Sequence, residues 1–232
     1  LLDLPEAIIT PIEFDLDPRH LALYRKVAAE QLLKLPNDQK IDLTQATTLY
    51  HAMGQLVMQW GYFAQEDGLK AKGFDLIEEV LDELGSGKLV LFANYIRTNQ
   101  EIVRRYNCPG IWGEISPTQK QKAIDKFIED PNCRLITLQP TAGGVGVDGL
   151  QAVCSDCLYL EPPITPTSWT QSLSRIHRDG QTKAVIVRMG IALGTIQEHL
   201  VKRLCEKDTL VQPLQGSKAM LQTALFGSLP TK

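Results

Sequence analysis

The chain has 232 residues, 44% of them hydrophobic and 22% charged, with a net charge of -3 and five cysteines. That length allows one large or two small domains with a sizeable core. The charge excludes nucleic-acid binding by overall basicity and leaves only a local basic face; no apolar run is long enough for a membrane span; an odd cysteine count excludes a disulfide framework that uses all of them. No signal peptide is visible, and the chain begins at Leu1, as a piece of a longer protein does. These features together predict an intracellular setting with reduced thiols in or near the core.

Residues 1 to about 85 read as mostly helical. In "TQATTLYHAMGQLVMQW", Leu49, Met53, Leu56, Val57 and Trp60 share one helical face. Thr44 stands as its N-cap after the "LPND" turn. "FDLIEEVLDEL" is a second helix, stopped at Gly85 by "GSG". After Lys88 the pattern changes. "LVLFANY" is a short apolar run of the kind that forms a buried parallel strand. A helix is predicted from about Thr98 to Tyr106, then a short strand in "GIWGE". "SPTQKQKAIDKFIED" carries Ser116 as cap, Pro117 at the first helical position and Gln119 to complete a capping box, with Ala123, Ile124 and Phe127 facing inward. "CRLITLQ" and "CLYLE" are strands. "TPTSWTQSLSRIHR" opens a helix at Thr165 and Pro166. "KAVIVRM" is a strand, and "GTIQEHLVKRLCEK" is a helix with Thr195 and Glu198 as capping box and Ile196, Leu200 and Leu204 inward. After Asp208 the pattern is weak, apart from a short helix in "SKAMLQTALFG". Alternating strands and helices predict an α/β domain with a mostly parallel central sheet flanked by helices.

Several motifs lead nowhere. Gly144, Gly146 and Gly149 in "TAGGVGVDGLQ" fit G-x-G-x-x-G after an apolar run. A dinucleotide fingerprint must open a crossover helix of a dozen or more residues, but only about seven separate Gly149 from the next strand. The nearest candidate for a ribose-binding acid, Glu161, is followed at once by Pro162 and Pro163. "GSGKL" has Leu89 where a phosphate loop needs Ser or Thr. "LDEL" at 81–84 lies on a helix and reads as a solvated face. Cys154 and Cys157 form one C-x-x-C with no second pair at zinc spacing. No metal site is expected.

The informative run is "QSLSRIHRDGQ". Arg175 and Arg178 are three apart, a spacing that places both on one face near a helix end, with Gln171 one turn before. Two converging guanidiniums suit a phosphate, whose oxygens take forked hydrogen bonds. His177, between them, reads as positional. Arg97, Arg104, Arg105, Lys120, Lys122 and Lys126 fit either a nucleic-acid track or the solvated faces of two helices.

Five blocks in collinear order over about residues 85–208 resemble the C-terminal RecA-like lobe of a superfamily-two helicase of the Swi/Snf type, a DNA translocase. They are "KLVLFANY", "IWGEISPTQKQKAIDKFIED", "LQPTAGGVGVDGLQ", "TPTSWTQSLSRIHRDGQ" and "GTIQEHLVKRLCEK". The second and third of these are similar to the family's following block and fifth motif. The fourth resembles the sixth motif, with Gln171, Arg175, Arg178, Gly180 and Gln181 in place. Residues 1–84 resemble the helical segment that links the two motor lobes, and 209–232 form a tail.

The resemblance implies a division of labour. A first RecA-like lobe, absent from this chain, holds ATP and Mg2+. This lobe supplies Arg175 and Arg178 as arginine fingers, with Gly146, Asp148 and Gln171 toward the nucleotide. Thr141, Asn94 and Ser116 face nucleic acid, for which double-stranded DNA is the favoured track. The chain alone is expected to be inactive as an ATPase. The alternative is a non-catalytic module that keeps the fold to bind nucleic acid or protein. Three departures stand out. Ser174 replaces a Gly common in relatives. The fifth motif is one residue longer at Gly149. "LEPPITP" replaces an aromatic and Asn before Pro.

Overall fold

A four-residue strand buried at every position needs cover on both faces. Two runs of the chain, "LVLF" and "LITL", have it. The computed structural model describes residues 4–30, 32–35, 39–43, 46–66, 68–142, 147–198 and 200–201. In chain order its elements are β1 (Ala7–Phe14), α1 (Pro18–Glu30), β2 (Leu32–Lys34), β3 (Lys40–Asp42), α2 (Ala46–Ala64), α3 (Asp75–Glu83), β4 (Leu89–Phe92), α4 (Ile96–Tyr106), β5 (Gly110–Ile111), α5 (Pro117–Glu129), β6 (Leu135–Leu138), β7 (Asp156–Tyr159), α6 (Pro166–Leu173) and β8 (Val185–Ala192). Short 3-10 turns lie at Lys72–Phe74, Pro140–Ala142 and Leu150–Ala152.

The six long-range strands form one parallel sheet in the order β1-β8-β7-β4-β6-β5. Parallel strands need crossovers, and the helices between them cover both faces. Alternation along β4 divides the core. Val90 and Phe92 pack with Ile124 and Phe127 of α5 and with Trp169 of α6. Leu89 and Leu91 pack on the other side with Ile102 of α4, Leu76, Ile77 and Val80 of α3, and Leu56 and Val57 of α2. This is the α/β architecture with a mostly parallel sheet that the alternating pattern predicts.

The helix ends follow local chemistry. Ser116 caps α5, with Pro117 in the first turn and a complete capping box to Gln119. Thr165 caps α6 in the same way, with Ser168 as its reciprocal partner. Met53, Leu56, Val57 and Trp60 are buried as the periodicity of α2 requires, and α3 stops before Gly85. The Thr44 cap, Leu204 and the helix expected in 217–227 lie outside the described residues.

The largest difference from expectation is in residues 1–84. They hold α1, α2 and α3, but they also hold β1, which joins the main sheet beside β8, and a small antiparallel hairpin of β2 and β3. The partner of β1 is far away in sequence, Ala7 pairing with Val185, so no local periodicity reports it. Pro11 within β1 is tolerated because β1 is an edge strand. The segment therefore contributes to the sheet itself, and its α2 and α3 share a core with β4.

Candidate functional site

In an open parallel sheet, loops leaving the carboxyl ends of strands converge and carry ligands. Here Asn94 follows β4, Ser116 follows β5, Thr141 follows β6 and Glu161 follows β7. β4, β6 and β5 are neighbours, so three of the sequence-predicted residues leave one end of the sheet together. Gln139 links their loops. Its amide donates to the Asn94 carbonyl at 2.9 Å, and its side-chain oxygen accepts from Gly113 N at 3.2 Å. Asn94 in turn donates from Nδ2 to the Pro162 carbonyl at 2.7 Å. Thr141 is exposed. Ser116 is exposed too, but its hydroxyl is engaged by Gln119, so its first duty is the cap of α5.

A second group gathers where the chain leads into the amino ends of β7 and β8. Asp148 and Gln151 precede β7; Arg178 and Gln181 precede β8. Arg178 Nη1 donates to Asp148 Oδ1, and Gln151 Nε2 donates to the Asp179 carbonyl at 3.4 Å. Gln181 is buried. It donates to the Cys154 carbonyl at 3.0 Å and accepts from Thr182 N and Lys183 N at 3.0 Å each. The fifth and sixth motif blocks are thus joined side chain to side chain.

The arginines are not where helical spacing puts them. α6 ends at Leu173, and Ser174 turns its hydroxyl onto the Gln171 carbonyl at 2.8 Å. Residues 174–180 continue as turns. Ile176, fully buried, anchors them, and His177 Nε2 meets the Pro5 carbonyl at 2.7 Å, the positional role expected of it. Arg175 and Arg178 therefore come from a turn rather than from one helical face, with Arg175 half-buried and Gln171 exposed on α6.

Gly146 lies outside the described residues. Gly149, the extra residue of the fifth motif block, has a reason of its own. Its φ is +92°, and it opens the 3-10 turn at Leu150–Ala152. Only glycine adopts that region without strain. The C-x-x-C pair is part of the core: Cys154 and Cys157 are buried and free, and burial pushes the Cys154 thiol up to about 12. Among the described residues no group of three or more His, Cys, Asp or Glu is placed to hold a metal ion, and no helix is long and apolar enough to cross a membrane.

Sequence reasoning missed one residue at the centre of the first group. Glu161 is fully buried, and its carboxylate accepts from Asn94 N at 2.7 Å, Tyr95 N at 3.1 Å and Thr98 Oγ1 at 2.7 Å. Burial raises its pKa to about 7 against the pull of those bonds. The available signal was an acid placed directly behind the apolar run "CLYL", where a buried strand ends.

The fold, a parallel sheet covered on both faces, is the RecA-like α/β fold that known proteins share with this chain. The chain is 30% identical over 142 residues to a DNA repair and recombination protein RAD54-like of Drosophila ananassae, a match over 59% of this chain and 18% of that protein. It is 29% identical over 165 residues to DNA repair and recombination protein RAD54 of Saccharomyces cerevisiae, over 67% of this chain and 18% of that protein. The chain thus spans less than a fifth of these relatives. Among solved structures it resembles the C-terminal part of the Fun30 ATPase domain, with TM-score 0.67 and 15% identity over 86% of this chain and 88% of that one. It also resembles the Sulfolobus solfataricus SWI2/SNF2 ATPase core in complex with dsDNA, with TM-score 0.66 and 24% identity over 95% of this chain and 50% of that one. No protein-family model matches. In sequence the chain is similar to RAD54-type DNA repair proteins, and in fold to the C-terminal part of Swi2/Snf2-type ATPase domains.

Proposed function

We propose that the chain is the second motor lobe of a DNA-dependent ATPase that translocates on double-stranded DNA. The observation that carries this reading is the Arg178–Asp148 pair, which joins the two motif blocks assigned to the nucleotide side. ATP supplies the phosphoanhydride bond whose hydrolysis drives the motor. In this reading ATP and Mg2+ are held mainly by a first lobe, as the resemblance of the motif blocks implies. Arg178, with its side chain 39% exposed and a single carboxylate partner, can reach outward to phosphate. By the resemblance of their motif blocks, Arg175 joins Arg178 as an arginine finger, and Gln171, Gly146 and Asp148 are assigned to the nucleotide. A fixed cation at the charge developing on a transferring phosphoryl group is worth about 10³ to 10⁵ in rate.

DNA meets the other group. Thr141 offers a hydroxyl and Ser116 a capped helix start to backbone phosphates, and Asn94 shapes the loop beside them, an arrangement that positions a duplex without reading its sequence. The DNA repair and recombination names of the relatives and the dsDNA-bound neighbour support that partner, and an intracellular setting goes with it. Residues 1–84 would connect the two lobes.

The test is to add the upstream first lobe, measure DNA-stimulated ATP hydrolysis, and change Arg178 to Ala. Turnover should collapse while the fold survives, and the 232-residue chain alone should not hydrolyse ATP. Robust hydrolysis by the chain alone, or none by the two-lobe protein with any nucleic acid, would reject the proposal. The second result would leave a binding module that keeps the fold.

A further inference from the structure

Glu161 is the only buried carboxylate among the described residues, and no cation balances it. Such a group is costly to bury, and a well-packed apolar side chain would serve stability better. What it has instead is three donors, all from the loop and first turn after β4: the N–H groups of Asn94 and Tyr95 and the hydroxyl of Thr98. Tyr95 is the titratable side chain facing it, and the Glu161 charge is among the causes that hold the Tyr95 phenol up.

The hydrogen bonds continue in one direction. Thr98 has a single hydroxyl proton, given to Glu161. Toward Gln59 it must accept, and Gln59 Nε2 donates to it at 2.8 Å. Gln59 lies inside α2 at a residue with φ -120° and ψ 21°, where the helix is kinked. From the other end, Asn94 is held by Gln139 and Pro162, and Asn99 Nδ2 donates to the Ala93 carbonyl at 2.9 Å while Asn99 Oδ1 accepts from Thr137 Oγ1 at 2.6 Å. One polar chain therefore runs from the kink of α2, through Thr98 and Glu161, to the backbone of Asn94.

We infer that Glu161 is a positioning residue that sets the Asn94 loop for nucleic acid, and that Thr98 and Gln59 tie that setting to the helical segment. The inference rests on the proposed function. Glu161 does not touch the ligand; it shapes the surface that does. Its loss moves the affinity for DNA rather than the chemistry on ATP.

The experiment uses the two-lobe protein with duplex DNA as the probe. It compares Glu161→Gln, Thr98→Val and a control, Ile136→Val, which trims the buried β6 without touching the polar chain. Glu161→Gln should raise the DNA concentration for half-maximal ATPase stimulation about tenfold, as loss of a charged hydrogen bond predicts. The KM for ATP should not move. Thr98→Val should shift the same quantity in the same direction, about threefold. Ile136→Val should lower the melting temperature and leave DNA half-saturation in place. Variants that saturate with DNA like the wild type, or no more shifted than Ile136→Val, overturn the inference while the proposed function stands. A wild type that no nucleic acid stimulates overturns both. If Glu161→Gln does not fold, Thr98→Val decides.

Discussion

Arg178 donates to Asp148 across thirty residues of chain, and that contact makes one surface of two motif blocks. The pair is exposed, at 39% and 65% for the two side chains. An exposed ion pair is worth about 0–1 kcal/mol, because water screens it and two long side chains lose freedom to make it.

The first prediction separates stability from chemistry at this pair. Arg178→Ala and Asp148→Asn should each change unfolding free energy by no more than about 0.5 kcal/mol. In the two-lobe protein, Arg178→Ala should lower turnover about a thousandfold or more. Arg178→Lys, which keeps charge but loses the fork, should stay well below the wild type. Asp148→Asn should cost less than either. Denaturant melts paired with steady-state ATPase rates check this, and a large stability loss in Arg178→Ala would count against it.

Gly149 makes a second prediction. With φ at +92°, alanine there is strained, and its Cβ would approach Ile128 Cδ1 to 3.0 Å. The Ile128 methyl is the end of a flexible side chain and can shift, so the backbone term dominates. Gly149→Ala should destabilise by about 1 kcal/mol or somewhat more. That is a fall in melting temperature of roughly 2–4 °C for a chain of this size. An unchanged or raised melting temperature would refute it.

Signals carried by neighbours in sequence were legible. Ser116, Pro117 and Gln119 announce a capping box, and the box is there; "LVLF" announces a buried parallel strand and "LITL" a strand, and both are buried throughout. Signals carried by distant partners were not. β1 is a strand because β8 lies beside it. Arg175 and Arg178 leave the helical face because Ser174 turns back on Gln171 and Ile176 plugs the core. Glu161 becomes the centre of a loop group only when the sheet brings β4 next to β7. The motif blocks were readable as a resemblance, but the way the third and fourth pair with each other was not.

The third prediction concerns pH and has two opposed parts. Burial raises Glu161 from an ordinary 4.5 to about 7. The folded state then holds this proton where the unfolded chain has lost it, so its contribution is present below about pH 4.5 and is lost as pH rises through about 7. Burial lowers His20 from 6.5 to about 4; its ring stacks on Trp60, Nε2 meets the Leu56 carbonyl at 2.7 Å, and Nδ1 has no partner. Its contribution is present above about pH 6.5 and is lost as pH falls through about 4. Each has a limiting slope of about 1.4 kcal/mol per pH unit. Between pH 4.5 and 6.5 the two oppose each other, so together they give little slope. Glu161→Gln should unmask the His20 slope, with stability falling on acidification. His20→Gln should unmask the opposite slope. Denaturant midpoints measured from pH 4.5 to 7 decide it, and parallel profiles for the two variants would refute it.

The last prediction concerns the segment before the motif blocks. α2 and α3 cover the face of the sheet formed by Leu89, Leu91, Leu135, Leu158 and Leu160, and Leu56, Ile77 and Val80 lie in the same core. β1 completes the edge beside β8 through eight paired residues. A polypeptide of residues 85–232 loses this cover and leaves β8 as an open, apolar edge, a condition that promotes aggregation. It should bind a hydrophobic dye strongly, lack near-ultraviolet ellipticity from packed aromatics, and melt without cooperativity. The 232-residue chain should do none of these. A sharp thermal transition in 85–232 near that of the whole chain would show that the motif-bearing part folds alone, and that the preceding segment only leans on it.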